Sequence, residues 1–346
     1  MACDCSRTSL ALSEIGVEVG RFQVLPGLAQ EGYVRSHLHS DSCAWVEKNC
    51  YIDVWIEVLH SLGVEPAAVL SMTLAVDFEG DQWTFFKPPH DELRELYGID
   101  VQELTVWRTL LAHAAEHLAA GKLISTEADA FWLPDTAGTD YRTQHTKSTI
   151  VLADIDLANE RLGYFHNAGY YDLEGEDYRQ LFRVGHARDP SFLPLYAELV
   201  RIDRLVHRSD DVLRGLARPF LVRHLDHRPT KNPLRSFQHR LERELVVLQS
   251  GELSQYHLWA FATIRQLGAA FELAAAHIRW AWPTGGEDVE RATAGFEVIA
   301  RVSKTLILKV ARAVNSGRML DASALFDEMA TAWSGSMDAV SRLTRT

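Results

Sequence analysis

Hydrophobic and polar positions change their rhythm once along the chain, near Asp189-Pro190. Downstream, apolar residues recur at helical spacing, which predicts helices over 192–206, 210–225, 233–248, 254–280, 287–315 and 321–345. The runs Arg228-Pro229-Thr230-Lys231-Asn232-Pro233 and Pro283-Thr284-Gly285-Gly286 separate them as breakers. Upstream, strand-like and helix-like segments alternate. In the helix that opens after Asn49, the residues Tyr51, Val54, Trp55, Val58, Leu59 and Leu62 follow the spacing of a buried stripe, and Ile52 and Ile56 widen it. Asn49 suits the N-cap and Gly63 the C′ position. Cys50, Asp53, Glu57 and His60 form the remaining polar stripe, the one face of this helix left outside the core pattern. A helix or strand over 66–77 leads into a turn, a strand follows over 82–86, and helices are expected over 91–97 and 106–120. A strand over 123–131 precedes a hairpin made of 149–155, a turn at 156–160, and 162–165. His145 stands at the entrance of that hairpin's first strand and Asn167 just beyond its second. The pattern predicts an α+β domain over 1–188 followed by an all-α domain over 189–346.

Composition narrows the class. With 346 residues, 47% apolar and 24% charged, the chain reads as a globular protein with room for two domains. Charges interrupt every apolar stretch before the ~20 residues a membrane helix needs, so no membrane partner is expected. The start Met1-Ala2-Cys3-Asp4-Cys5 lacks the basic region and apolar core of a secretory signal. Four cysteines, Cys3, Cys5, Cys43 and Cys50, are too few for a disulfide framework and point to a reducing, cytoplasmic setting. A net charge of −12 argues against nucleic acid as a main partner. His37 and His39 with Cys43 make a poor metal site without a second cluster, and nothing in the pattern asks for a cofactor.

Candidate chemistry then centres on Cys50. A thiol at a helix N-terminus sits at the positive end of the macrodipole, which favours the nucleophilic thiolate, and a distant histidine can serve as its base. His145 fits by type and location, with Asn167 as first choice for the residue that orients its ring; Asp154, Asp156 and His166 are the alternatives. Asn49 and Gln144 are candidate oxyanion donors, although capping accounts for Asn49 equally well. Asp77, Glu79, Asp81 and Gln82 lead into an aromatic strand containing Trp83, so Asp77, Gln82 and Trp83 are candidate pocket residues beside the blander reading of a solvated acidic turn. Asp53 and Glu57 would oppose ionisation of the thiol. Asp129 and Asp135 are placed to hydrogen-bond the loop carrying His145, and Arg265 and Glu272 are expected as a buried pair.

Five segments of 39–182 carry a family likeness. They are Asn-Cys-Tyr-Ile-Asp-Val-Trp-Ile-Glu (49–57), Asp-Phe-Glu-Gly-Asp-Gln-Trp-Thr-Phe-Phe-Lys (77–87), Glu-Ala-Asp-Ala-Phe-Trp-Leu-Pro-Asp-Thr (127–136), Asp-Tyr-Arg-Thr-Gln-His-Thr-Lys (140–147) and Tyr-Phe-His-Asn-Ala-Gly-Tyr-Tyr (164–171). This stretch resembles the N-terminal domain of butirosin biosynthesis protein H, a papain-like acyltransferase. It resembles more closely a bacterial family of unknown function related to that domain and often encoded with nonribosomal peptide synthetases. The second likeness continues through His257-Leu-Trp-Ala-Phe-Ala-Thr-Ile-Arg-Gln-Leu-Gly268. The resemblance implies a papain-like fold, a Cys50–His145 pair with a third member near Asn167, and transfer of an acyl group from a carrier-protein thioester to a small-molecule amine. At the third position the butirosin-type pattern favours aspartate, where this chain has His166-Asn167. The expected partners are an acyl or peptidyl carrier protein and the amine, with the helical domain covering the site or docking the carrier. A cysteine hydrolase (thioesterase or peptidase) and a non-catalytic papain-like scaffold are the competing readings.

Overall fold

A computed structural model describes residues 20–187, 191 and 193–345; Cys3, Cys5 and the Asp189-Pro190 boundary lie outside them. The architecture is α+β, with an antiparallel sheet in the N-terminal part and helices in the C-terminal part. The chain divides into two compact units that do not follow a cut at 188/189. The first contains the described residues up to Ser36, Asp53–Val64 and Leu93–His207. The second contains His37–Ile52, Glu65–Glu92 and the residues from Arg208 on.

The first unit is built on a sheet of seven strands: β1 (Arg21–Gln23), β4 (Asp100–Glu103), β5 (Leu123–Asp129), β6 (Lys147–Asp156), β7 (Arg161–His166), β8 (Gly169–Glu174) and β9 (Ala197–Arg201). They run in the order β4-β9-β5-β6-β7-β8, with β1 pairing β6. β6 reads Ile150, Val151, Leu152, Ala153 and Ile155 without the alternation of a half-solvated strand, and all five are buried. The helix α3 (Leu110–Ala119), capped by Thr109 on the Ala112 N–H at 3.2 Å, presents Ala114, Ala115 and Leu118 to a core shared with Ile124, Leu152 and Tyr164. Each large apolar side chain so buried stabilises the fold by about 1.5–3 kcal/mol.

A helix expected over 192–206 is instead the strand β9, inserted between β4 and β5 with Val101 opposite Val200 and Ile124 opposite Leu199. Ala197, Glu198 and Leu199 are good helix formers, but two neighbouring strands supply ladder partners that local propensity does not record. The Glu198 carboxylate, fully buried, accepts from the Tyr196 hydroxyl at 2.9 Å. The helix expected over 91–97 is α2 (His90–Tyr97), whereas β1, β4, β8 and the helix α4 (Glu176–Phe182) were not expected from the pattern.

The second unit carries the helices α5 (Asp210–Asp226), α6 (Pro233–Ser250), α7 (Leu253–Ala260), α8 (Gln266–Ala281), α9 (Glu287–Ser316) and α10 (Ser323–Leu343). A π-helical turn, Phe261–Arg265, joins α7 to α8, so the single helix expected over 254–280 is continuous but locally rewound. The region 66–77 is mostly a buried 3₁₀ helix, Pro66–Ala75, against which α5 and α8 pack. The strand expected over 82–86 shrinks to β3 (Gln82–Trp83), paired with β2 (Phe78–Glu79). Among the described residues no helix is long and apolar enough to cross a membrane.

Candidate active site

The helix α1 (Cys50–Ser61) begins at Cys50, and the division between units runs through it, between Ile52 and Asp53. Its start, in the second unit, is held tightly. Asn49 is buried; its Oδ1 accepts from the N–H groups of Tyr51 (3.1 Å) and Ile52 (2.9 Å), and its Nδ2 donates to the Phe86 carbonyl (3.1 Å) and Gln266 Oε1 (3.4 Å). The amide is therefore fully used as a cap and tether rather than left facing a substrate.

Arg265 and Glu272 do not pair with each other. Seven residues apart on a helix, they are separated by about 10 Å of rise. Each grips the backbone leading into α1 instead. The Glu272 carboxylate accepts from the N–H groups of Ala44 (2.5 Å) and Trp45 (3.0 Å), while Arg265 donates to the Lys48 carbonyl (3.2 Å) and to Glu47 (3.2 Å). Lys48, fully buried, donates to the carbonyls of Leu38 (2.6 Å), Trp45 and Val46 (3.3 Å) and lies 3.6 Å from Glu272. Gly268 lets this happen: a Cβ there would stand 2.3 Å from Trp45 Nε1, which donates to the Ala300 carbonyl at 3.0 Å. Cys50 itself is half-buried and forms no disulfide.

The polar stripe of α1 is not a solvent face. Asp53 and Glu57 are fully buried, and within the first unit Glu57 accepts from the Tyr33 hydroxyl and, at 3.1 Å, from the Ser36 N–H. Burial, reinforced by the neighbouring Glu57 charge, pushes the Tyr33 hydroxyl above its ordinary range. The pattern placed Glu57 outside the core because its donors, Tyr33 and Ser36, lie 24 and 21 positions earlier in the chain.

Asp77, Gln82 and Trp83, in the second unit, belong to one tight hairpin. Asp77 Oδ1 accepts from the Phe78 N–H at 2.7 Å, and the Asp77 N–H donates to Thr84 Oγ1 at 3.0 Å. Gln82 is exposed opposite Glu79. Trp83 is buried, its ring 5.5 Å from Phe78 and 5.8 Å from Phe237, so it is core.

In the first unit His145 is 68% exposed and stacks on Phe131 with ring centroids 4.4 Å apart. Its Nδ1 lies 2.6 Å from Asp129 Oδ2. A carboxylate can only accept, so Nδ1 carries the proton and Nε2 carries the lone pair of the neutral ring. Asp129 Oδ1 meanwhile accepts from the Phe131 N–H at 3.1 Å. The side chain that holds the His145 ring is thus Asp129, whereas Asn167 was the first choice from the sequence. Asn167 occupies the two-residue turn between β7 and β8 with φ +45°, a conformation asparagine tolerates. Antiparallel pairing of β5 with β6 sets Asp129 opposite Lys147, beside the residues just before β6. The acidic interruptions Glu127 and Asp129 in an apolar strand were the available signal. Gln144 donates its side-chain amide to Asp140 at 2.9 Å.

His166 belongs to a second relay. Its Nδ1 is 2.6 Å from Asp135 Oδ2, its Nε2 is 2.6 Å from Ser148 Oγ, and the Tyr164 hydroxyl donates to Asp135. The bonding resembles a serine triad, but the ring is 1% exposed. We assign it a structural task, pinning the 130–146 loop that carries His145 to β6 and β7. Asp154 binds Arg21 and Arg161, and Asp156 caps its turn at the N–H groups of Ala158 and Asn159. Among the described residues no group of three or more histidine, cysteine or acidic side chains is arranged to hold a metal ion.

The model of the DUF1839 N-terminal domain matches residues 34–202, and that of the DUF1839 C-terminal domain matches residues 210–342. No curated protein shows significant similarity to the chain.

Proposed function

Taking as premise that the chain belongs to the DUF1839 family, we propose that it is a cysteine-dependent acyltransferase of papain-like descent. In this reading it is a relative of the butirosin-type domain, and it moves an acyl or aminoacyl group from a carrier-protein thioester to a small amine. The observation that carries the reading is the exposed imidazole of His145 with Nδ1 held 2.6 Å from Asp129, leaving Nε2 as a base. Cys50, at the first position of α1, supplies the nucleophile. His145 Nε2 takes the proton of the Cys50 thiol, the thiolate attacks the thioester carbonyl, the carbon–sulfur bond to the carrier breaks, and the carrier thiol leaves with that proton. The amine then attacks the Cys50 acyl-enzyme, loses its proton to His145 Nε2, and the new amide forms as the Cys50 sulfur departs. Asp129 keeps the ring in the needed tautomer throughout, the part the resemblance placed near Asn167.

The experiment is intact-mass spectrometry after exposure to an acyl-N-acetylcysteamine thioester, followed by turnover with an amine. The expected result is one acyl adduct, absent in Cys50→Ala, and in Asp129→Asn a turnover loss of about 10²–10⁴-fold with the fold intact. An adduct that survives Cys50→Ala, or one mapped to Cys43 or Ser148, sinks the assignment. The exposure of His145 favours hydrolysis as second reading, because water reaches that base freely; free acid as the sole product in the presence of amine would select it.

A further inference from the structure

Independently of that reading, we infer that one end of the second unit is a docking surface for an acidic amphipathic helix of a partner protein. Exposed apolar side chains are ordinary when scattered. Here they are concentrated: among the described residues, seven of the fourteen exposed large apolar side chains fall within 246–261 and 308–319. Three hydrogen bonds lay these stretches side by side and antiparallel. The Tyr256 hydroxyl donates to the Ile307 carbonyl at 2.5 Å, and the Gln249 amide donates to the carbonyls of Ala313 (3.1 Å) and Arg318 (2.8 Å). Leu258 on α7, 72% exposed, and Leu308 on α9, 61% exposed, thus belong to neighbouring helices and are both largely open.

The charge at this end runs against the rest of the chain. Residues 298–320 contain five basic side chains and no acidic one, in a chain of net charge −12. Lys304 and Arg312 stand one helical turn before and after Leu308, so the three share an exposed face of α9, with Lys309 on its flank. Of the five, Arg301 alone is held in an ion pair among the described residues, with Glu328 at 2.9 Å. Lys304 rests over the Trp45 ring, 5.3 Å from its centroid. Asp321 feels the charge of Lys309, but its carboxylate is bound to the Ser323 N–H at 3.0 Å. Apolar side chains bordered by cations without ion pairs complement a helix that carries an apolar stripe edged with carboxylates. An anionic bilayer would offer the same two chemistries. The net charge of −12 disfavours it, because an extended anionic sheet meets the field of the whole molecule whereas a helix meets only this end.

The probe is a capped peptide of about 18 residues, with leucines at helical spacing flanked by glutamates, titrated calorimetrically into the full chain. We expect saturable one-to-one binding in the micromolar range at about 50 mM salt, weakened about tenfold at about 500 mM. The same peptide with glutamine for every glutamate should bind at least about tenfold more weakly. Lys309→Glu combined with Arg312→Glu should weaken binding of the acidic peptide by at least about tenfold. That double variant should also gain affinity for a lysine-for-glutamate peptide, a reversal that a merely structural role would not produce. Leu308→Ser should weaken binding about five- to tenfold and leave the melting temperature in place, since that side chain is already 61% exposed. No saturable binding at millimolar peptide, or binding unchanged in the charge-reversed variant, overturns the surface. Preference for vesicles of phosphatidylcholine and phosphatidylglycerol over the peptide transfers the face to a membrane. Self-association of the parent that Leu308→Ser abolishes transfers it to a second copy. Either result overturns a partner helix as the occupant.

Discussion

What a histidine can do depends on which ring nitrogen is already engaged, and three histidines here divide on that point. His145 gives Nδ1 to a carboxylate and keeps the lone pair on Nε2, His166 has both nitrogens occupied, and His277 has one on a carbonyl and the other enclosed. Burial pushes the His277 imidazole down to about 4, with the Ala67 carbonyl bond offsetting only part of the effect. Unfolded, the same ring titrates near its ordinary value of about 6.5. Above that value neither state binds the proton and the group contributes no pH dependence. As pH falls from about 6.5 towards 4, the unfolded chain takes up a proton the folded chain refuses, so stability declines. The total is roughly 3 kcal/mol by pH 4 and about 2 kcal/mol near pH 5. Urea unfolding near pH 7 and about pH 5 measures this, and His277→Gln should flatten the difference by about that amount. A variant as acid-sensitive as the parent would show that another group carries the effect.

At the scale of elements, the approach to Cys50 rests on α8. Gly268→Ala forces a methyl against the buried Trp45 indole, whose three nearest atoms lie 2.3, 2.5 and 2.8 Å from the added carbon. The expected cost is about 1–3 kcal/mol of overpacking. Because Trp45 precedes the capped start of α1, the same change should slow alkylation of Cys50 by iodoacetamide relative to Cys43. Denaturant midpoints and second-order alkylation rates read both effects, and indifference of both would remove Gly268 from this role. Much of this element level was legible beforehand. Asn49 and Gly63 bracket α1 as their chemistry predicts, and α5, α6, α9 and α10 occupy the expected stretches, because helical periodicity and its breakers are local properties. β9 was not legible, since its partners Val101 and Ile124 lie about 75–100 positions earlier in the chain. For the candidate site, Cys50 and His145 could be picked out by type and position. The partnership of Asp129 with His145 needs the β5–β6 register, which hydrophobic pattern alone does not specify.

At the scale of the molecule, the chain alternates between its two units rather than completing one before the other. A fragment spanning 208–346 therefore carries α5 and α8 without the Pro66–Ala75 segment on which they pack. We expect that fragment to retain far-ultraviolet helical signal while losing near-ultraviolet ellipticity and binding 1-anilinonaphthalene-8-sulfonate, as cores lacking fixed packing do. A cooperative thermal transition with parent-like near-ultraviolet signal would show instead that the helices suffice alone. The same alternation sets a timetable for biogenesis. Pro66–Ala75 is almost wholly apolar and enclosed in the finished protein, yet α8, its partner, leaves the ribosome some two hundred residues later. At translation speeds of about 5–20 residues per second, this sticky stretch waits on the order of 10–40 s for its cover. Nascent chains of this protein should thus lean on a holdase chaperone during synthesis, and rare codons placed ahead of α8 should lengthen that dependence.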